Sequence, residues 1–144
     1  MSQSTTSTIV IAAPAATVMD VIADVQAYPE WTPFTATEVL ERDAQGRPSR
    51  AHFSLRSGGI SDEQVMAYTW QPEAVTWTQV EGRLLRSLVG VYQVRPALDA
   101  TCEVTYDLTA EPVLPMIGAL RRRAEKVIVD TALKGLKERA ESLA

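Results

Sequence analysis

Hydrophobic and polar residues alternate through the middle of the chain, from about residue 35 to residue 112. In the segment 48–57, Ala51, Phe53 and Leu55 fall on one face and polar side chains on the other, the period of a half-buried strand. The pattern and its turn residues predict strands at about 36–43, 48–57, 62–71, 74–80, 83–95 and 101–111. Because the connections are too short for crossovers, the sheet is predicted to be antiparallel.

The two ends of the chain follow other patterns. A β-branched run predicts a first strand at 8–12, and apolar residues at helical spacing predict a short helix at 15–25. Two prolines and three aromatic residues at 28–34 predict a broken helix that closes one end of the sheet. Residues 116–143 predict one long amphipathic helix. These elements predict an α+β fold, a curved antiparallel sheet of about seven strands wrapped around the C-terminal helix.

Length and composition narrow the class of protein. The 144 residues, 46% of them hydrophobic, are predicted to form a single domain spanning 1–144. A net charge of −4 lacks the basic footprint that nucleic acid requires, so no nucleic-acid partner is expected. No apolar run reaches the roughly 20 residues of a membrane span, and no basic residues precede the apolar N-terminal run, so we expect a cytoplasmic protein.

Several motifs carry a family resemblance. The segment 28–34 reads Tyr-Pro-Glu-Trp-Thr-Pro-Phe, the segment 90–92 reads Gly-Val-Tyr, Thr105 precedes Tyr106, and the segment 132–137 reads Ala-Leu-Lys-Gly-Leu-Lys. In this order they resemble the helix-grip fold of the START and Bet v 1-like (SRPBCC) superfamily, specifically its polyketide cyclase/dehydrase and lipid-transport branch. The resemblance covers nearly the whole chain. It implies a cavity between sheet and helix for lipids, polyketides, quinones or hormones, and some members resemble toxins of toxin–antitoxin pairs.

Catalytic metal and nucleophile chemistry find little support in the sequence. The chain has one histidine and one cysteine, far apart, so no metal and no cofactor are predicted. His52 falls on the polar face of its strand and is predicted to be solvated. Cys102 falls on the apolar face without a histidine partner and is predicted to be a buried hydrophobic residue.

The predicted ligand-binding residues are those that alternation or helical spacing directs between sheet and helix. They are Trp31, Phe34, Phe53, Leu55, Met66, Tyr68, Trp77, Arg86, Leu88, Tyr92, Val104, Tyr106, Ile117, Leu120 and Ala124. Trp70 shares the predicted inner face of Met66 and Tyr68.

Arg86 has two open interpretations. By period two it shares a face with Leu88 and Tyr92, and a guanidinium in the cavity would bind an anionic oxygen. Alternatively, a bulge near Arg86 reverses the alternation and leaves the side chain in water.

The leading functional prediction is binding, and carriage, of a hydrophobic lipid-, polyketide- or quinone-like molecule. A first alternative is a cofactor-independent polyketide aromatase/cyclase or dehydratase, for which tyrosine and arginine supply donors to an enolate but no base is placed. A second is a toxin-like interaction protein, with a protein partner or a second copy of the chain on an exposed apolar patch.

Overall fold

The fold is a single curved sheet with helices on its inner face. The computed structural model describes residues 4–57, 59–114 and 116–144. Within them, seven antiparallel strands lie in the order β1-β7-β6-β5-β4-β3-β2, which confirms the predicted fold class. The strands are β1 (Thr5–Ile11), β2 (Ala36–Arg42), β3 (Pro48–Ser57), β4 (Ile60–Gln71), β5 (Ala74–Glu81), β6 (Leu85–Pro96) and β7 (Cys102–Pro112). The helices are α1 (Ala15–Ala23), a 3-10 helix (Val25–Glu30) and α2 (Gly118–Leu143).

The predicted boundaries differ from these at the chain ends. Strand β1 begins three residues earlier than predicted, because its Thr and Ser residues pair with β7 from Thr5 onward. Helix α1 ends at Ala23, since Asp24 leaves the helical conformation and the 3-10 helix begins at Val25. Helix α2 begins two residues later than predicted, because Ile117 is extended, with φ −62° and ψ 146°.

The strand register assigns the side chains of the inner face. Tyr92 pairs with Tyr106, and Gly90 pairs with both Trp77 and Leu108. The part of this face beneath the helices is closely packed, where Ile11, Val94 and Cys102 are fully buried in one hydrophobic cluster. One hydrophobic core cluster therefore lies beneath the helices, and a second, smaller one, which includes Ala51, Phe53 and Met66, lies on the inner face of β3 and β4.

Helix α2 contributes to the first of these clusters only. Its buried residues Val129, Leu133, Leu136 and Ala140 belong to a helix that packs chiefly against β1, β7 and α1. Farther toward its N-terminus, Ile128 is 52% exposed. The N-terminal half of α2 is largely exposed, and the helix packs little against β3 to β6. We call the inner face of these four strands, where Tyr68, Trp77 and Leu88 are only partly buried, the groove.

The predicted apolar stripe of α2 is wrong in this N-terminal half. Ile117, Leu120 and Ala124, predicted to lie between sheet and helix, are exposed instead, as are the neighbouring apolar residues Val127 and Ile128. The physical reason is that the helix is held at the β1 edge, where Glu125 is buried and accepts hydrogen bonds from Thr5 Oγ1 at 2.7 Å and Ala110 N at 3.3 Å.

Polar contacts extend this attachment along the β1 edge. Asp130 accepts from Ser7 and Lys126, and these hydrogen bonds lower the pKa of its carboxyl group. Glu141 accepts from Lys137 and the backbone N–H of Ala12, which likewise lowers its pKa. Within residues 4–57, 59–114 and 116–144, none of the helices combines the length and the apolar composition of a membrane span.

Candidate ligand-binding groove

The floor of the groove is a cluster of aromatic rings centred on Trp77. Its ring centroid lies 5.0 Å from that of Tyr92, 5.4 Å from Tyr106 and 6.3 Å from Tyr68. The ring lies across Gly90, where an added Cβ would stand 2.2 Å from Trp77 carbons. Only a glycine at this register position lets the indole lie against the backbone of the sheet.

A second aromatic group continues the floor toward β3. The rings of Phe34 and Phe53 are 4.8 Å apart, and Tyr28 lies 5.1 Å from Trp31 and 5.9 Å from Phe53. Tyr68 packs against both hydrophobic clusters. The aromatic surface is therefore continuous across the sheet.

Tyrosine hydroxyls supply the polar groups of this floor. Tyr28 donates its hydroxyl to the carbonyl oxygen of Ile22. The hydroxyls of Tyr68, Tyr92 and Tyr106 make no hydrogen bond with a described residue, and none is a fully enclosed unpartnered atom. Burial is the main cause that raises the pKa of all four groups. These hydroxyls are protonated at neutral pH and can donate to a bound molecule.

The opposite end of the inner face is polar. Gln64 pairs with Phe53 and Asp62 with Leu55, which fixes both on the inner side of β4. Asp62 is 2% exposed, and its Oδ1 accepts a hydrogen bond from Arg83 N at 3.0 Å. Gln64 Nε2 lies 3.4 Å from Gln79 Oε1. Acidic and amide groups thus stand at the end of an aromatic surface.

Most of the predicted ligand-binding residues lie on or beside this floor. These are Trp31, Phe34, Phe53, Leu55, Met66, Tyr68, Trp77, Leu88, Tyr92 and Tyr106. The predicted inward orientation of Tyr92 and Tyr106 is confirmed, since each is 6% exposed within the core cluster. Their contact with a ligand stays a prediction.

The remaining predicted residues lie elsewhere. Val104 is fully buried in the core and does not reach the groove. Ile117, just before α2, and Leu120 and Ala124, in the first turns of the helix, are exposed.

Arg86 is not a groove residue. Strand β6 has one extra residue here, because Leu85 pairs with Pro112 and Ser87 pairs with the adjacent Glu111. This bulge reverses the alternation before Leu88 and leaves the Arg86 side chain exposed. The prediction of a cavity guanidinium at this position is wrong, and the bulge alternative is confirmed.

Asp62, Gln64 and Gln79 are the inner-face residues that the sequence reasoning missed. The signal was present, because extending the period-two face of Met66 and Tyr68 backward along β4 reaches Gln64 and then Asp62. Polar character made them resemble solvent-facing positions.

Other features of the structure lie away from the groove. His52 Nε2 is 3.3 Å from Glu63 Oε1 on the outer face, and Cys102 is buried, with burial raising its thiol pKa. Surface pockets of about 250 and 530 Å³ lie near the C-terminal end of α2, with Trp31 on the wall of the first. Over the part of the chain described, no three His, Cys, Asp or Glu side chains are placed to hold a metal ion.

Comparison with known proteins places these features in context. The model of the family described as polyketide cyclase / dehydrase and lipid transport matches residues 2–144. The chain is 28% identical over 130 residues to the ribosome association toxin RatA of Pseudomonas aeruginosa, covering 87% of this chain and 89% of the toxin.

Solved structures share the fold. A START superfamily protein from Mycobacterium smegmatis superposes with a TM-score of 0.91 at 24% identity, covering 98% of this chain and 99% of that one. The Zhui aromatase/cyclase from Streptomyces sp. R1128 superposes with a TM-score of 0.78 at 17% identity, covering 98% of this chain and 94% of that one.

Proposed function

Because the chain belongs to the polyketide cyclase / dehydrase and lipid transport family, we propose that it binds and carries a hydrophobic, polyketide-like small molecule in the groove. The observation that carries this proposal is the aromatic floor, in which Tyr68, Tyr92 and Tyr106 present hydroxyls without a described partner around Trp77. Ligand sites combine apolar walls with a few placed polar groups, as this surface does.

Incomplete burial separates this surface from an ordinary core. Tyr68, Trp77 and Leu88 are only partly buried, although they pack against the core cluster. On α2, Ile128 and Leu120 expose about half of their side chains, 52% and 48%. Apolar surface that the fold leaves exposed in this way favours an apolar partner or ligand.

Native mass spectrometry of freshly purified protein tests the proposal directly, by detecting a copurified small molecule. A second measurement is tryptophan fluorescence, since Trp31, Trp70 and Trp77 are the three tryptophans of the chain and pack against the core cluster beside the groove. Aromatic polyketides and quinones should change the emission saturably. A flat response across a broad apolar library would contradict a binding role.

Catalysis on the bound molecule is a separate hypothesis, that of an aromatase/cyclase or dehydratase. Three protonated tyrosine hydroxyls in a sheltered groove would donate to an enolate oxygen as charge develops on it. Under this hypothesis Tyr92→Phe and Tyr106→Phe would lower kcat by about tenfold or more with a smaller change in KM. If the two variants lose substrate affinity and turnover to the same extent, the catalytic hypothesis is contradicted and only the binding role remains.

A second candidate function is that of an interaction protein related to the toxin RatA. The observation favouring it is a run of exposed apolar residues around the start of α2, and these are Val113, Leu114, Met116, Ile117 and Leu120. Cosedimentation with ribosomes on a sucrose gradient, compared between the parent and a Leu114→Ser, Ile117→Ser variant, would test it. Loss of cosedimentation in the variant alone supports the interaction role.

A further inference from the structure

The polar end of the groove contains a buried carboxylate that the protein only half satisfies. Oδ1 of Asp62 accepts from Arg83 N, but no described residue donates to Oδ2. The side chain is 2% exposed, but Oδ2 is not among the fully enclosed side-chain atoms without a partner, so this oxygen keeps some accessible surface. A donor from outside the chain can therefore reach Oδ2 and form a charge-assisted hydrogen bond.

A chain of hydrogen bonds fixes the neighbouring amides. The Leu85 carbonyl oxygen can only accept, so Gln79 directs Nε2 toward it at 2.9 Å. Gln79 then presents Oε1 to Gln64 Nε2 at 3.4 Å. Gln64 Oε1 is left without a donor among the described residues, as a second acceptor on the same strand face as Asp62.

These two acceptors have a defined position relative to the aromatic floor. Asp62 and Gln64 are two residues apart on β4, so their Cα atoms lie about 7 Å apart. Tyr68, which pairs with Trp77, lies six residues beyond Asp62, or about 20 Å along the strand. Phe53 is the nearer part of the floor, because it pairs with Gln64. An aromatic molecule that stacks beside Phe53 can therefore direct one end toward Asp62.

We infer that Asp62 and Gln64 select a ligand whose inner end carries phenol or enol O–H groups, and that they reject one ending in a carboxylate. This inference rests on the proposed binding function and deepens it. A phenol or enol O–H donates to Asp62 Oδ2 through a charge-assisted hydrogen bond. A carboxylate at the same place would offer no donor and would bring two negative charges together.

Three matched probes test this selection by isothermal titration calorimetry. They are 3,5-dihydroxystilbene, its dimethyl ether and stilbene-4-carboxylate, which share one aromatic body and differ at the end. We expect the parent protein to bind the dihydroxy compound at least tenfold more tightly than either of the others. Asp62→Asn should weaken the dihydroxy compound by about tenfold, leave the ether unchanged, and leave the carboxylate unchanged or tighter.

Two further variants make the result specific. In Asp62→Asn, the amide oxygen can still accept the hydrogen bond from Arg83 N. Gln64→Met does not alter Asp62 at all, and it should weaken binding of the dihydroxy compound several-fold. Glu63→Gln is the matched control, because Glu63 lies on the outer face beside Ser54 and His52. It should change none of the three affinities.

The outcomes distinguish this inference from the proposed function. If the parent binds the dihydroxy compound and the ether equally, or if Asp62→Asn weakens all three probes alike, the selection by Asp62 is refuted and the groove remains a binding site. If none of the probes binds and no small molecule copurifies, both the inference and the proposed function are refuted.

Discussion

At the scale of single residues, Gly90 determines whether the aromatic floor can form. Its register partner is Trp77, whose ring occupies the position that a side chain at residue 90 would need. Because Trp77 in turn contacts Tyr92 and Tyr106, one missing methyl group sets the position of three rings.

Gly90→Ala should therefore destabilise the fold by about 1–3 kcal/mol, the usual cost of overpacking a well-filled site. Urea unfolding followed by circular dichroism measures the change. Gly118→Ala is the matched control, because a Cβ there would meet Arg122 Nη1 at an ordinary 3.5 Å, and alanine favours the helix. Equal stability of the two variants would mean that the Trp77 ring is not held against the sheet.

At the scale of elements, the attachment of α2 to the β1 edge leaves the groove open. Glu125 is buried where β1 begins, and it accepts from Ala110 N, a β7 donor beyond the last residue that pairs with β1. It also accepts from Thr5 Oγ1. One carboxylate thus joins the helix to two strands at the start of its buried stripe.

Glu125→Ala should destabilise the protein by about 1–3 kcal/mol, because a buried backbone N–H loses its acceptor. Thermal unfolding measures the loss, and hydrogen exchange should show it concentrated in the first turns of α2. Glu138→Ala, an exposed position on the same helix, is the control and should have little effect. Unchanged exchange in α2 of the Glu125 variant would contradict this role.

The sequence predicted the elements better than it predicted their contacts. Alternation identified the inner faces of β3, β4 and β7, because a strand's side-chain period is strict as long as pairing is regular. At Arg86 a bulge interrupts the pairing, and no turn residue in the sequence marks it. On α2, the packed stripe includes Glu125 instead of the apolar Leu120, because a hydrogen-bonding requirement of β7 outweighs hydrophobicity there.

At the scale of the whole molecule, the inner face contains residues that are fully buried and others that the fold covers only in part. Val94, Cys102 and Val104 are fully buried under α1 and α2, whereas Tyr68, Trp77 and Leu88 border the groove. A bound ligand would cover the partly buried residues. At a ligand concentration of about 100 times Kd it would add about 2.7 kcal/mol to the free energy of unfolding. The groove should accordingly be the part of the protein whose stability responds most to a ligand.

A pH titration can report on burial on this inner side of the sheet, because all four tyrosines of the chain lie there. They are Tyr28, Tyr68, Tyr92 and Tyr106. Desolvation by burial, followed for Tyr28, Tyr68 and Tyr92 by the charges of neighbouring groups, raises the pKa of each hydroxyl above 10.0. In the unfolded chain these groups titrate near pH 10. Between these values the native protein binds more protons than the unfolded one, so stability is fully present below pH 10 and falls as pH rises further.

We therefore expect the tyrosinate absorbance at 295 nm to stay flat through about pH 10 in the native protein, and to rise only together with loss of the circular dichroism signal. The same protein in denaturant should titrate all its tyrosines near pH 10, which provides the reference. Lysines lose their charge in the same range, so the absorbance is needed to attribute the change to tyrosine. An ionisation step near pH 10 with the native dichroism intact would show that a tyrosine hydroxyl faces bulk water, and the sheltered aromatic floor on which the proposed function rests would be refuted.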